Sequence, residues 1–99
     1  MAGSKSVRKA TADELQRLYE ALAALDDPDD IAALLVDMCT IREVEEMSQR
    51  LEVARLLSLG EPYVSITEKT GASATTIARV SKALYYGASG YTRVLDASL

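Results

Sequence analysis

Few side chains in this sequence are equipped for bond-making chemistry. Histidine is absent and Cys39 is the one cysteine, so the usual acid–base groups and zinc ligands are missing and no intramolecular disulfide can form. No Ser/His or Cys/His arrangement, Walker-type loop or HExxH run occurs, and neither an enzyme nor a resident cofactor or metal is expected. The run DDPDD at 26–30 could suggest a cation site, but Asp27 before Pro28 reads more simply as a helix cap with acids at the positive end of the helix dipole. What remains is a set of hydroxyls and cations between residues 60 and 86, GEPYVSITEKTGASATTIARVSKALYY. Ser73, Ala74, Thr75 and Thr76 are short groups able to donate, accept or meet a thymine methyl at the edges of bases. Arg79 has the planar fork that matches a guanine edge or a phosphate, and Lys82 and Lys69 are placed to hold a nucleic-acid backbone on either side.

These groups need a rigid presentation, and the same stretch predicts one. Pro62 suits the start of a helix of about two turns from Tyr63 to Thr70, with Ile66 facing inward. Gly71 can adopt the positive φ of a tight turn, and Ser73 is a natural N-cap for the next helix. On that helix Ile77, Val80, Ser81 and Leu84 share the spacing of a buried face. Thr75, Thr76, Arg79, Lys82 and Tyr86 are then exposed. This is helix-turn-helix punctuation. An ordinary solvated helix face would show part of the same pattern.

The rest of the chain reads as the platform. Thr11 and Glu14 form a capping box, and Leu15, Leu18, Tyr19, Leu22 and Leu25 make one apolar stripe on a helix of about four turns. Ile31, Leu34, Leu35 and Met38 supply the buried side of a short second helix. Thr40 and Glu43 open the longest helix. Ile41, Val44, Met47, Leu51, Ala54 and Leu57 follow one face of it, and Val53 and Leu56 lie on another, as in a central strut that also meets a partner subunit. Gly60 ends it. After Gly87, Ser89 and Gly90, residues 91–99 form a last short segment anchored by Val94 and Leu95. The fold class is therefore all-α. Residues 1–10 form a disordered basic tail with Lys5, Arg8 and Lys9, and residues 11–99 form a single helical domain. Within that domain, 11–59 hold the core and dimerisation helices, 60–86 the helix-turn-helix and 87–99 the C-terminal segment.

Charge agrees with this division. The net charge is −4, yet residues 1–60 carry seven Lys/Arg against twelve Asp/Glu while residues 61–99 carry four against three. The acids gather away from the helix pair, which permits nucleic-acid binding without demanding it. With 48% hydrophobic residues, no run near the roughly 20 apolar residues of a membrane span, no signal peptide and a single cysteine, a cytoplasmic protein without membrane contact is expected.

The run GASATTIAR (71–79) resembles the signature of the Trp repressor superfamily. SQRLEVARLL (48–57) and LYYGASGY (84–91) are similar to its YerC/YecD branch, and the likeness spans about Leu15 to Leu95. The resemblance implies an intertwined all-α homodimer whose helix-turn-helix reads double-stranded DNA. It places Ala74, Thr75, Thr76, Ala78 and Arg79 on positions that face DNA. Ala78 stands where the family uses a hydroxyl residue, so a different base preference is implied. Arg79 matches one arginine of the family's tryptophan pocket, but the following glycine is Val80 here and the second pocket arginine is Gln49. A β-branched side chain in the space of an indole, and one guanidinium fewer for the carboxylate, argue against tryptophan as corepressor. A small-molecule effector of another kind stays open. The expected function is a sequence-specific, homodimeric DNA-binding transcription regulator acting as a repressor. The alternative is a helical protein–protein interaction module that does not bind DNA.

Overall fold

Two Thr-x-x-Glu boxes set where the chain first turns helical. The computed structural model describes residues 8–98, with side chains through Ala97. In it Thr11 accepts from the Glu14 amide at 3.1 Å while the Glu14 carboxylate accepts from the Thr11 amide at 2.9 Å. This opens α1, Ala12–Ala23. Asp27 caps α2, Pro28–Met38, by accepting from the Asp29 amide at 2.9 Å. The second box, Thr40 with Glu43, opens α3, Ile41–Ser58. Three shorter helices follow: α4, Tyr63–Thr70; α5, Ala74–Tyr86; and α6, Gly90–Ser98. No strand occurs among the described residues, and the all-α class holds.

The described residues group into two compact units that divide between Met38 and Cys39. Burial supplies the reason. In α1 and α2 no residue is buried: Leu15, Tyr19, Leu22, Val36 and Met38 are exposed, and Leu18, Leu25, Ile31, Leu34 and Leu35 are half-buried. Leu25 lies beyond the end of α1, which stops at Ala23. Of the expected basic tail, residues 1–7 lie outside the described residues, Lys5 among them, as does Leu99 at the other end. Arg8 is described, and its guanidinium forks onto both Glu14 oxygens at 2.8 Å.

The second unit has a core of its own. Val53, Ala54, Leu56 and Leu57 from α3, Ile66 from α4, Ala72 from the turn, and Ile77, Val80 and Leu84 from α5 form one buried cluster, with Tyr91 and Leu95 of α6 packed against it. Val53 and Leu56, the second apolar face of α3, therefore lie in the core of this unit. The uncovered apolar side chains of α3 are at its other end, where Ile41 is 79% exposed and Met47 38%. In α6 Tyr91 and Leu95 pack against the core, while Val94 is 44% exposed.

The helix ends follow local chemistry. At the close of α3 the Gly60 amide bonds to the Leu57 carbonyl and the Glu61 amide to that of Leu56, with Gly60 at φ +83°. This is the paired C-terminal bond pattern for which glycine is favoured. Pro62 is the N-cap of α4 and not its first helical residue. With ψ of 158° it is still extended, and the helix runs from Tyr63 to Thr70 as the sequence suggests.

Candidate nucleic-acid interface

The helix-turn-helix is built from α4, the turn 71–73 and α5. Gly71 takes φ +76° and its amide bonds to the Thr67 carbonyl at 2.8 Å, which ends α4 in a left-handed residue. Thr70 donates its hydroxyl to the Ile66 carbonyl at 2.7 Å and accepts the Ala72 amide at 3.1 Å. Ala72 is 2% exposed and roots the turn in the core. Ser73 then caps α5, accepting from the Thr76 amide and donating to the Thr76 hydroxyl, both at 3.2 Å.

At about 100° per residue, Ile77, Val80 and Leu84 fall on one side of α5, and all three are buried. Thr75, Ala78, Arg79, Lys82 and Tyr86 fall within an arc of about 100° on the opposite side. All five are exposed. From Thr75 to Lys82 this stripe runs about 10 Å along the helix. Arg79 and Lys82 form no ion pair among the described residues, whereas Arg42, Arg55 and Lys69 are each matched to a glutamate. Between Glu68 and Asp96 the chain carries four cations and no acid. The face is thus positive and hydroxyl-bearing on a protein of net charge −4, a local arrangement suited to polyanion contact.

The other expected residues are distributed differently. Ala74 is exposed in the first turn of α5. The hydroxyls of Ser73 and Thr76 are engaged with each other in the cap, and Thr76 is half-buried at the edge of the stripe. Ser81, expected on the buried side, is half-buried. Lys69 is ion-paired: its ammonium lies 2.8 and 2.9 Å from the two Glu61 oxygens, and the Ser65 hydroxyl donates to the same carboxylate at 2.6 Å. Lys69 first, then Ser65, holds the Glu61 carboxyl below its ordinary range. The pair ties the last turn of α4 to the residue before Pro62, so Lys69 braces the helix it sits on.

One residue of this assembly was not signalled by the sequence as structural. The Gln49 amide, on α3, donates to the Thr70 carbonyl at 3.1 Å in a half-buried setting. The bond spans 21 residues, far beyond the reach of helical periodicity. The position was visible only as one that differs from the pocket arginine of the resembled family. Val80, the other departure, is 1% exposed and fills the core beneath α5.

Comparison with known proteins bears on this geometry. A family model described as Trp repressor protein matches residues 13–99. A protein of Bacillus subtilis named as uncharacterized protein YerC is 40% identical over 90 residues, covering 91% of this chain and 86% of its own length. The crystal structure of a TrpR-like protein from Eubacterium eligens superposes with a TM-score of 0.83 at 42% identity, covering 87% of this chain and 89% of that one. A provisionally named Trp repressor from Staphylococcus aureus gives 0.81 at 32% identity, over 97% of this chain and 93% of that one. Sequence and fold agree over nearly the whole of α1 to α6, and the chain belongs to the Trp repressor family.

Proposed function

We propose that this protein is a cytoplasmic transcription regulator that binds double-stranded DNA sequence-specifically as a homodimer and represses from the bound site. The observation that carries the reading is the stripe on α5, where an exposed threonine, an exposed alanine and two cations without ion-pair partners lie opposite a fully buried face. A helix of this width fits the major groove, with its first turns nearest the base edges. Thr75 and Ala78 would meet bases, Arg79 a guanine edge or a phosphate, and Lys82 a phosphate. Ser73 and Thr76 contribute by fixing the start of the helix. Lys69 contributes by bracing α4, unless a phosphate displaces Glu61 from it. The uncovered apolar stripe of α1 and the exposed Ile41 and Met47 of α3 support association of two copies, which would set the half-sites about 34 Å apart.

Selection from random duplexes with the full chain tests this reading. A two-fold related motif is expected. Arg79→Ala should weaken binding to the selected duplex by roughly 1–3 kcal/mol, and Lys82→Ala should reduce the salt dependence by about one counterion. Enrichment of no motif would overturn the proposal in favour of a protein-binding module.

A further inference from the structure

The orientation of α5 depends on how the turn before it is held. α4 has eight residues and buries only Ile66, a slender attachment for the element that positions the turn. The last carbonyls of a helix have no partner inside it, and that of Thr70 is met by the Gln49 amide reaching from α3. Thr70 is in turn bonded through its hydroxyl to Ile66 behind it and to the Ala72 amide ahead, and Ser73 caps α5 one residue later. Hydrogen bonds therefore run from the central helix to the turn as far as Ala72, and the Ser73 cap of α5 follows at the next residue.

The surroundings of this bond leave little for a bound molecule to do. An open recess beside it is lined by Val44, Glu45, Ser48, Gln49, Glu52, Lys69 and Thr70. Its amide and ammonium donors are both engaged, Gln49 with Thr70 and Lys69 with Glu61. Glu45 and Glu52 face an incoming anion with like charge, and Glu52 is itself held by Arg55. Beneath α5, the Val80 side chain occupies core space.

Resting on the DNA-binding reading above, we propose that Gln49 is the positioning residue of the helix-turn-helix. The protein itself makes the bond that fixes the turn, so DNA is bound without a small-molecule effector. The chain supplies from α3 a permanent donor to the turn, and the recess is built against an anionic ligand taking over that task.

The test uses the full chain, unfolded, dialysed and refolded to remove any carried-over small molecule, with the duplex obtained by selection. The wild-type protein should bind with no addition. Gln49→Leu removes the donor at similar size, and should weaken binding by about 3- to 10-fold and speed amide exchange at Ala72 and Thr76, with the midpoint of thermal unfolding little changed. Gln49→Arg restores a donor and should recover most of the affinity. If Gln49→Leu disturbs the fold, Gln49→Met makes the same comparison. Binding by the wild type only after a small molecule is added overturns the proposal, as do equal affinity and equal exchange in the donor-free variants. Failure to enrich any duplex removes the DNA reading and this inference together, whereas a motif bound equally by wild type and Gln49→Leu removes this inference alone.

Discussion

α1 and α5 carry the same kind of sequence signal and use it differently. Each has a capping residue and an apolar stripe at helical spacing. In α5 the stripe is buried in the core of its own unit, with Ile77 at 0% and Val80 at 1% exposure. In α1 no residue is buried, and Tyr19 is 56% exposed. α3 shows both conditions within one helix, Val53 and Ala54 at 0% near one end and Ile41 at 79% at the other. A stripe reports which side of a helix avoids water. What covers that side is a separate fact, and here it divides a unit with a buried core from two helices in which no residue is buried.

The sharpest way to break this contrast is to delete core volume in the second unit. Ile66→Ala or Ile77→Ala removes a fully buried side chain and should cost roughly 2–5 kcal/mol, a large share of a small protein's stability. Urea unfolding should show this loss at every protein concentration. In the first unit the signature should differ. Leu22→Asp places a charge on the uncovered stripe and should weaken self-association more than tenfold, since burying one leucine is worth about 1.5–3 kcal/mol. Sedimentation equilibrium reads that change directly, and the concentration dependence of thermal unfolding should fade with it. A Leu22→Asp protein that associates as the wild type does would show that the stripe is not the dimer surface.

Smaller effects separate the two glycines that flank α5. A Cβ on Gly87 would meet the Ala83 carbonyl oxygen at 2.3 Å, so Gly87→Ala forces the end of α5 to move. On Gly71 a Cβ meets nothing within 4 Å, and the whole cost is the left-handed backbone at φ +76°, about 1–2 kcal/mol. Gly71→Ala should lower thermal stability by that amount and leave the packing of α5 intact. Gly87→Ala should in addition shift the amide resonances of residues 83–90, including the loop that leads into α6.

The balance of what could be read beforehand follows from range. Helices, caps and the turn glycine are written in steps of three or four residues, and the boxes at Thr11 and Thr40, the cap at Ser73 and the positive φ of Gly71 are where the spacing puts them. The exposed stripe of α5 was equally legible, because one buried periodicity fixes the opposite face. That α3 is apolar on more than one side is legible in its spacing, but which elements cover Val53 and Leu56 is not, because they lie more than a turn of chain away. Tyr91 was overlooked in favour of Val94 for the same reason. Lys69 looked available because its partner Glu61 lies eight residues back, across the start of a helix. Gln49 and Thr70 meet across the fold, and no local pattern encodes that.

The two capping boxes allow the finest test, since they are chemically alike and sit on opposite sides of the divide. Thr40→Ala loosens the start of α3, which runs on into the core, and its cost of about 1 kcal/mol should appear in global unfolding. Thr11→Ala should appear as local fraying of α1. The Thr11 box has one further component, the Arg8 fork, which with the Thr11 amide holds the Glu14 carboxyl down at about 2 against an ordinary 4.5. A carboxyl lowered on folding contributes stability that is complete above its unfolded value and is lost as pH falls through its folded one, so the contribution from Glu14 should be intact at neutral pH and fade between about 4.5 and 2. Because the pair is exposed, its contribution to global stability should be small, and the change is best followed by carboxyl carbon resonances. Arg8→Ala should raise the Glu14 midpoint toward the ordinary value while leaving the unfolding of the second unit untouched. A Glu14 that titrates normally in the wild type would mean that the fork does not hold the chain before α1.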